Sequence, residues 1–68
     1  MKKYYFTFMQ RQTKLRNKYM TFWGATENEA REKMREHFGD MWAFCYDEKG
    51  WTIDGKTQAE IYGYTEIK

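Results

Sequence analysis

The sequence predicts an α+β fold: a small antiparallel sheet of three to four strands with one α-helix packed on one face, in the order β-β-α-β, then a short helical turn and a short strand. Three observations lead there. The segments K-K-Y-Y-F-T-F-M, K-Y-M-T-F-W and M-W-A-F-C-Y are rich in aromatic and β-branched residues and alternate with a period of two. The stretch between the second and third carries a helical period with start and stop signals. Finally, 68 residues suffice for one domain spanning 1–68, which at this size buries only about 60% of the surface its unfolded chain exposes. At 41% hydrophobic and 21% aromatic, the chain holds too many large apolar side chains to stay disordered, although 32% of it is charged.

Strand one places Tyr4, Phe6 and Phe8 on one side and Tyr5, Thr7 and Met9 on the other. After the polar, basic segment Q-R-Q-T-K-L-R-N, strand two sets Met20 and Phe22 against Tyr19, Thr21 and Trp23. The pair reads as a hairpin with a long basic tip. Thr26 and Glu29 form a capping box: the Thr hydroxyl accepts from the Glu29 N–H and the carboxylate reaches back to the N–H of Thr26. The helix therefore runs from Glu27 to Phe38. Ala30, Met34 and Phe38 make its apolar stripe, Glu27 to Arg31 and Glu29 to Lys33 are i,i+4 pairs, and Gly39 supplies the stop.

Strand three alternates Trp42, Phe44 and Tyr46 with Met41, Ala43 and Cys45. D-E-K-G is a turn signal, W-T-I is a strand stub or an apolar loop anchor, and D-G marks a further turn. Thr57 and Glu60 repeat the capping-box spacing and Gly63 the stop, which predicts a helical turn over 58–62 with Ala59 and Ile61 or Tyr62 inward; a strand with Ala59 and Ile61 on one side is the competing reading. Y-T-E-I-K closes as a short strand. With Phe6, Phe8, Met20, Phe22, Trp42 and Phe44 toward the helix, the opposite face presents Tyr5, Thr7, Tyr19, Thr21 and Trp23, partly covered by residues 47–63. An exposed aromatic patch of that kind marks a binding or oligomer surface.

The side chains that carry chemistry do not form a recognisable site. His37 stands next to the helix end, where an imidazolium meets the terminal carbonyls, and a metal would need further nitrogen or sulfur donors beside it. Cys45 lies within an aromatic strand, the setting of a small packing residue, and as the single cysteine it cannot close an intramolecular disulfide. Asp40, Asp47, Glu48 and Asp54 fall in turns or at a helix end, and Gly50 and Gly55 are isolated turn glycines without a phosphate loop. The expectation is a protein that is not an enzyme, with no catalytic residue, no metal and no cofactor. No apolar run resembles a signal peptide or a membrane span, so a cytoplasmic location without membrane association is expected.

Charge is the informative feature. The formal net charge is only +2, yet residues 1–23 carry Lys2, Lys3, Arg11, Lys14, Arg16 and Lys18 and no acidic residue, while the remainder is net acidic. Cations interleaved with aromatic rings neutralise phosphate and stack on bases in nucleic-acid surfaces. On a hairpin tip and an edge strand the same cations keep sheets from pairing edge to edge. The candidate binding residues are accordingly Arg11, Lys14, Arg16 and Lys18 as charge partners, with Tyr5, Tyr19 and Trp23 as aromatic anchors.

At E-A-R-E-K-M-R-E-H-F-G-D-M-W-A-F-C-Y and the closing Y-G-Y-T-E-I, the chain resembles a group of small bacteriophage and prophage β-β-α-β proteins. These carry an acidic capped helix, then F-G, a W-x-x-x-Y strand and a Y-G-aliphatic-x-E-I ending. The likeness covers roughly residues 19–46 and 62–67. Trp42 and Tyr46 fit the strand; Tyr64 replaces the usual aliphatic residue, and 47–56 departs from the group's acidic, helix-leading connection. The resemblance implies a phage or mobile-element origin and a cytoplasmic, non-enzymatic protein. Small proteins of that origin commonly bind a host machine, and inhibitors of CRISPR effector complexes are a prominent class among them. The implied partner is a host protein or ribonucleoprotein defence complex. From the residues themselves, direct nucleic-acid binding and a structural homodimer remain the alternatives.

Overall fold

A computed structural model describes residues 1–9, 11 and 13–67 of the chain. Gln10 and Gln12 of the expected hairpin tip, and Lys68 of the expected last strand, lie outside the described residues. The first two strands, β1 (Lys2–Phe8) and β2 (Lys18–Gly24), form an antiparallel hairpin; the helix α1 (Glu27–Phe38) follows, then β3 (Trp42–Tyr46). Beyond β3 come a single helical turn α2 (Glu48–Trp51), a two-stranded hairpin of β4 (Thr52–Ile53) and β5 (Lys56–Thr57), the short helix α3 (Gln58–Tyr62) and β6 (Thr65–Glu66). The main sheet has the order β3-β1-β2-β6, with β3 antiparallel to β1 and β6 parallel to β2. The fold is thus α+β, and its fourth strand makes the sheet mixed.

The capping signals act where the sequence sets them. Thr26 accepts from the Glu29 N–H at 3.3 Å, whereas the Glu29 carboxylate accepts from the Ala25 N–H at 2.9 Å, one residue further back than the N–H of Thr26. That reach suits the tight corner between β2 and α1, where Gly24 is buried and a Cβ would lie 3.0 Å from both the Glu29 Cβ and the Thr26 carbonyl. At the far end Gly39 adopts φ 60°, ψ −129° and donates to the Arg35 carbonyl at 2.8 Å. A side chain disfavours that backbone conformation, so glycine is the natural stop.

Ala30 and Met34 of α1 bury completely against Tyr4, Phe6 and Phe8, with Met20, Phe22, Phe38 and Trp42 around them. Phe6 meets Trp42 edge-on at 5.3 Å and Phe8 meets Phe38 at 5.2 Å, a geometry that sets the positive ring edge against the negative face. His37 stacks on Phe22 at 5.2 Å. The Arg31–Glu27 i,i+4 pair closes at 2.6 Å and the Arg31 guanidinium also lies over the Trp42 ring.

Strand β3 departs from strict alternation. Phe8 pairs with Trp42 and Thr7 with Phe44, which leaves Ala43 as the extra residue of a β-bulge. Directly opposed residues share a face, so the bulge sends Trp42 and Cys45 toward the helix but Phe44 and Tyr46 to the other side. The expected helix-facing position of Phe44 is therefore corrected: it is 62% exposed on the opposite face.

That opposite face carries a second layer built by residues 48–64. Asp47 caps α2 by accepting from the Gly50 N–H at 2.7 Å, which points Trp51 back onto the sheet. Asp54 (φ 50°) and Gly55 (φ 80°) make the two-residue turn between β4 and β5, with the paired positive φ angles of a type I′ hairpin. Thr57 accepts from the Glu60 N–H and starts α3, whose end is the left-handed Gly63. In α3 the buried residue is Gln58, donating to the Gly50 carbonyl at 3.0 Å; Ile61 and Tyr62 face outward, contrary to the inward positions expected of them.

Candidate functional site

The seven candidate residues separate into three places. Arg11, Lys14 and Arg16 are exposed on the connection between β1 and β2, and Lys18 is half-buried at the start of β2. The connection is fastened at its base: Lys18 donates to the Leu15 carbonyl at 3.1 Å, Asn17 takes a left-handed φ of 63°, and its carbonyl accepts from Thr65 of β6 at 3.0 Å. Leu15 packs against the core beneath, so the cations stand on an anchored loop. Among the described residues the sole ion pair is that of Arg31 with Glu27, on the helix, which leaves the cations of this connection uncompensated. A surface cleft of about 390 Å³ beside them is lined by Arg11, Thr13, Lys14, Leu15 and Met41.

Tyr5 is buried beneath the second layer, and Tyr19 is half-buried at its side. Trp51, 1% exposed, stacks on Tyr5 with ring centroids 4.7 Å apart and planes 5° from parallel, and it touches Tyr19 at 4.9 Å, Tyr46 at 5.8 Å and Tyr64 at 6.2 Å. Tyr5 is 7% exposed and donates its hydroxyl proton to Glu48 at 2.6 Å. Burial, reinforced by that hydrogen bond and the Glu48 charge, holds the Tyr5 phenol well above its ordinary pKa; burial raises Tyr19 and Tyr64 as well. Two of the three expected anchors thus pack against Trp51: Tyr5 is buried under it with the rings stacked, and Tyr19 is half-buried beside it.

Trp23 is the anchor that stays open, at 52% exposure. It sits at the far end of β2 from the tip, five residues or about 17 Å along the strand from Lys18. Register pairs it with Lys3, and the adjacent pair joins Lys2 to Gly24. The structure therefore groups Trp23 with Lys2 and Lys3, and separates it from Arg11, Lys14 and Arg16. Lys2, Lys3 and Trp23 form one wall of a cavity of about 440 Å³, and Asp47, Glu48 and Lys49 form the other. Sequence reasoning missed this grouping because Asp47–Lys49 looked like a plain turn. The signal was Asp47 three residues before Gly50, the spacing of a cap that turns the following tryptophan onto the sheet.

Cys45 is half-buried on the helix side, its thiol pushed up to about 11, chiefly by burial and then by the Glu27 charge, with Arg31 pulling the other way. A thiol held in its protonated form is a packing group and a poor nucleophile. Among the described residues no group of three or more His, Cys, Asp or Glu is placed to hold a metal ion, and no helix is long and apolar enough to cross a membrane. No protein-family model, curated protein or solved structure matches the chain.

Proposed function

We propose that the chain is a non-catalytic accessory protein of a phage or mobile element that binds and inhibits a host defence complex in the cytoplasm, in the manner of an anti-CRISPR inhibitor. The observation that carries this reading is the anchored, uncompensated cationic tip formed by Arg11, Lys14 and Arg16, with Lys18 at its base. Such a tip complements an acidic protein surface or a phosphate backbone, and charge complementarity of this kind governs the encounter rate and the choice of partner. The bacteriophage resemblance supplies the setting. Covering of Tyr5 and Tyr19 by Trp51 favours docking on a charged surface over base stacking at this end of the molecule.

Affinity capture from a host lysate, with and without nuclease treatment, tests the reading. A stable host complex that survives nuclease and is weakened at least tenfold by the double charge reversal Lys14→Glu/Arg16→Glu is the expected result. Capture unchanged by that variant would overturn the role of the tip. Capture that vanishes with nuclease, together with a steep loss of affinity for naked DNA or RNA between low and physiological salt, favours direct nucleic-acid binding instead.

A further inference from the structure

We propose that the cavity between β1, β2 and α2 binds a nucleotide, either free or as one unit of a single strand, with the base on Trp23 and the phosphate on the lysines around it. This site lies at the opposite end of the hairpin from the basic tip and does not depend on the function proposed for the tip. Three features carry the inference.

The first is an aromatic face without a partner. Trp23 is 52% exposed, and none of the ring pairs formed among the described residues includes it, whereas Trp51 and Trp42 are both engaged. A half-open indole on a strand is a stacking platform that any base fits.

The second is the balance of charge. Lys2, Lys3 and Lys49 surround the cavity, and none of them forms an ion pair among the described residues. The two carboxylates of the wall are already acceptors inside the protein: Asp47 holds the Gly50 N–H and Glu48 holds the Tyr5 hydroxyl. Both carboxylates are held in place by these bonds, and the ammonium groups are the donors the site offers to a ligand. The Lys3 ammonium lies 5.3 Å from the centre of the Tyr5 ring, a cation–π contact that places this charge on the face of the sheet that carries Trp23. Three ammonium groups against two carboxylates leave the side chains of the wall net positive by one, so the site attracts an anion to its lysine side.

The third is size. At about 440 Å³ the cavity falls within the range of roughly 300–1,000 Å³ usual for small-molecule sites. A ligand that joins one planar ring system to one anionic group matches an indole flanked by ammonium groups, and a nucleotide is that combination.

The test is an NMR titration of the intact protein with AMP, adenosine, inorganic phosphate and a short single-stranded oligonucleotide, following the three indole N–H signals. AMP should shift the Trp23 signal and leave those of Trp42 and Trp51 in place, with adenosine and phosphate each binding at least tenfold more weakly. Trp23→Ala and, separately, Lys3→Glu should each lower AMP affinity at least tenfold, with unchanged circular dichroism showing that the variants fold. Lys14→Glu/Arg16→Glu should leave AMP binding unchanged, which keeps this site distinguishable from the tip. An oligonucleotide that binds more than tenfold tighter than AMP identifies the strand as the source of the ligand, and equal binding identifies the free nucleotide. Absence of any shift at about 10 mM AMP, a concentration that reveals dissociation constants in the millimolar range, shifts confined to residues 11–18, adenosine equal to AMP, or affinity untouched by Trp23→Ala would each overturn the proposal.

Discussion

Trp51→Ala tests whether the second layer is part of the folded core. Trp51 is 1% exposed and lies against four tyrosine rings. A buried aromatic of this kind removes about 150–250 Å² from water, which at about 25 cal/mol per Å² amounts to about 4–6 kcal/mol. Truncations of buried Phe and Trp to Ala cost about 3–5 kcal/mol in practice, so the two routes agree. A domain of 68 residues, at about 0.05–0.15 kcal/mol per residue, has roughly 3–10 kcal/mol in all. Trp51→Ala therefore removes about a third or more of the total stability. In urea denaturation followed by far-UV circular dichroism, the expected loss is about 3–5 kcal/mol, and Trp51→Phe, which keeps one ring of the stack, recovers most of it. A loss below about 1 kcal/mol would refute the reasoning, because it would mean that residues 48–64 do not dock on the sheet in solution.

The bulge at Ala43 predicts unequal costs for two neighbouring aromatics: Trp42→Ala, on the helix face, should destabilise by about 2–3 kcal/mol, and Phe44→Ala, on the open face, by less than about 1 kcal/mol, both read from urea midpoints. Equal losses would contradict the register. Cys45 has a folded pKa above its unfolded one and is neutral when protonated, so the stability it contributes is complete below the unfolded value of 9.0 and is lost as pH rises through about 11. Its reaction with a disulfide reagent at neutral to mildly alkaline pH should be at least about tenfold slower in the folded protein than in urea, since only the thiolate attacks.

The helix and the three main strands were legible because each is specified locally. Thr26, Glu29 and Gly39 mark the ends of α1 within one turn of the chain, and the aromatic alternation of β1 and β2 needs no distant partner to be seen. The bulge in β3 was not legible: W-A-F-C-Y alternates without fault, and only its pairing with Thr7 and Phe8 shows that Ala43 is surplus. The role of Trp51 was hidden for a similar reason, since a tryptophan after D-E-K-G becomes a core residue only when Tyr5, Tyr19 and Tyr46 lie beneath it. The candidate site was read by charge and aromatic content along the hairpin. Charge and aromatic content single out Trp23 and the tip cations, but the length of β2 places them at opposite ends, and the burial of Tyr5 and the partial covering of Tyr19 follow from a layer supplied by residues far along the chain.

The parallel pairing of β6 on β2 gives the chain an order of assembly. The β1–β2 hairpin and α1 can form from neighbouring residues, but Glu66 meets Thr21 across a separation of 45 residues, and Thr65 and Ile67 bond to Asn17 and Tyr19. Loop closure costs about 0.6 kcal/mol more for each doubling of the enclosed length, so this contact is favoured last, once β3 and the second layer have shortened the path. The cationic tip, encoded early in the chain, has one of the bonds at its base, that to the Asn17 carbonyl, supplied by the strand encoded at 65–66. A chain truncated before Thr65 would keep the hairpin, the helix, β3 and the Leu15 anchor, yet lose the bond at Asn17, and its search for a partner would bear the part of the ordering entropy that the last strand otherwise removes in advance.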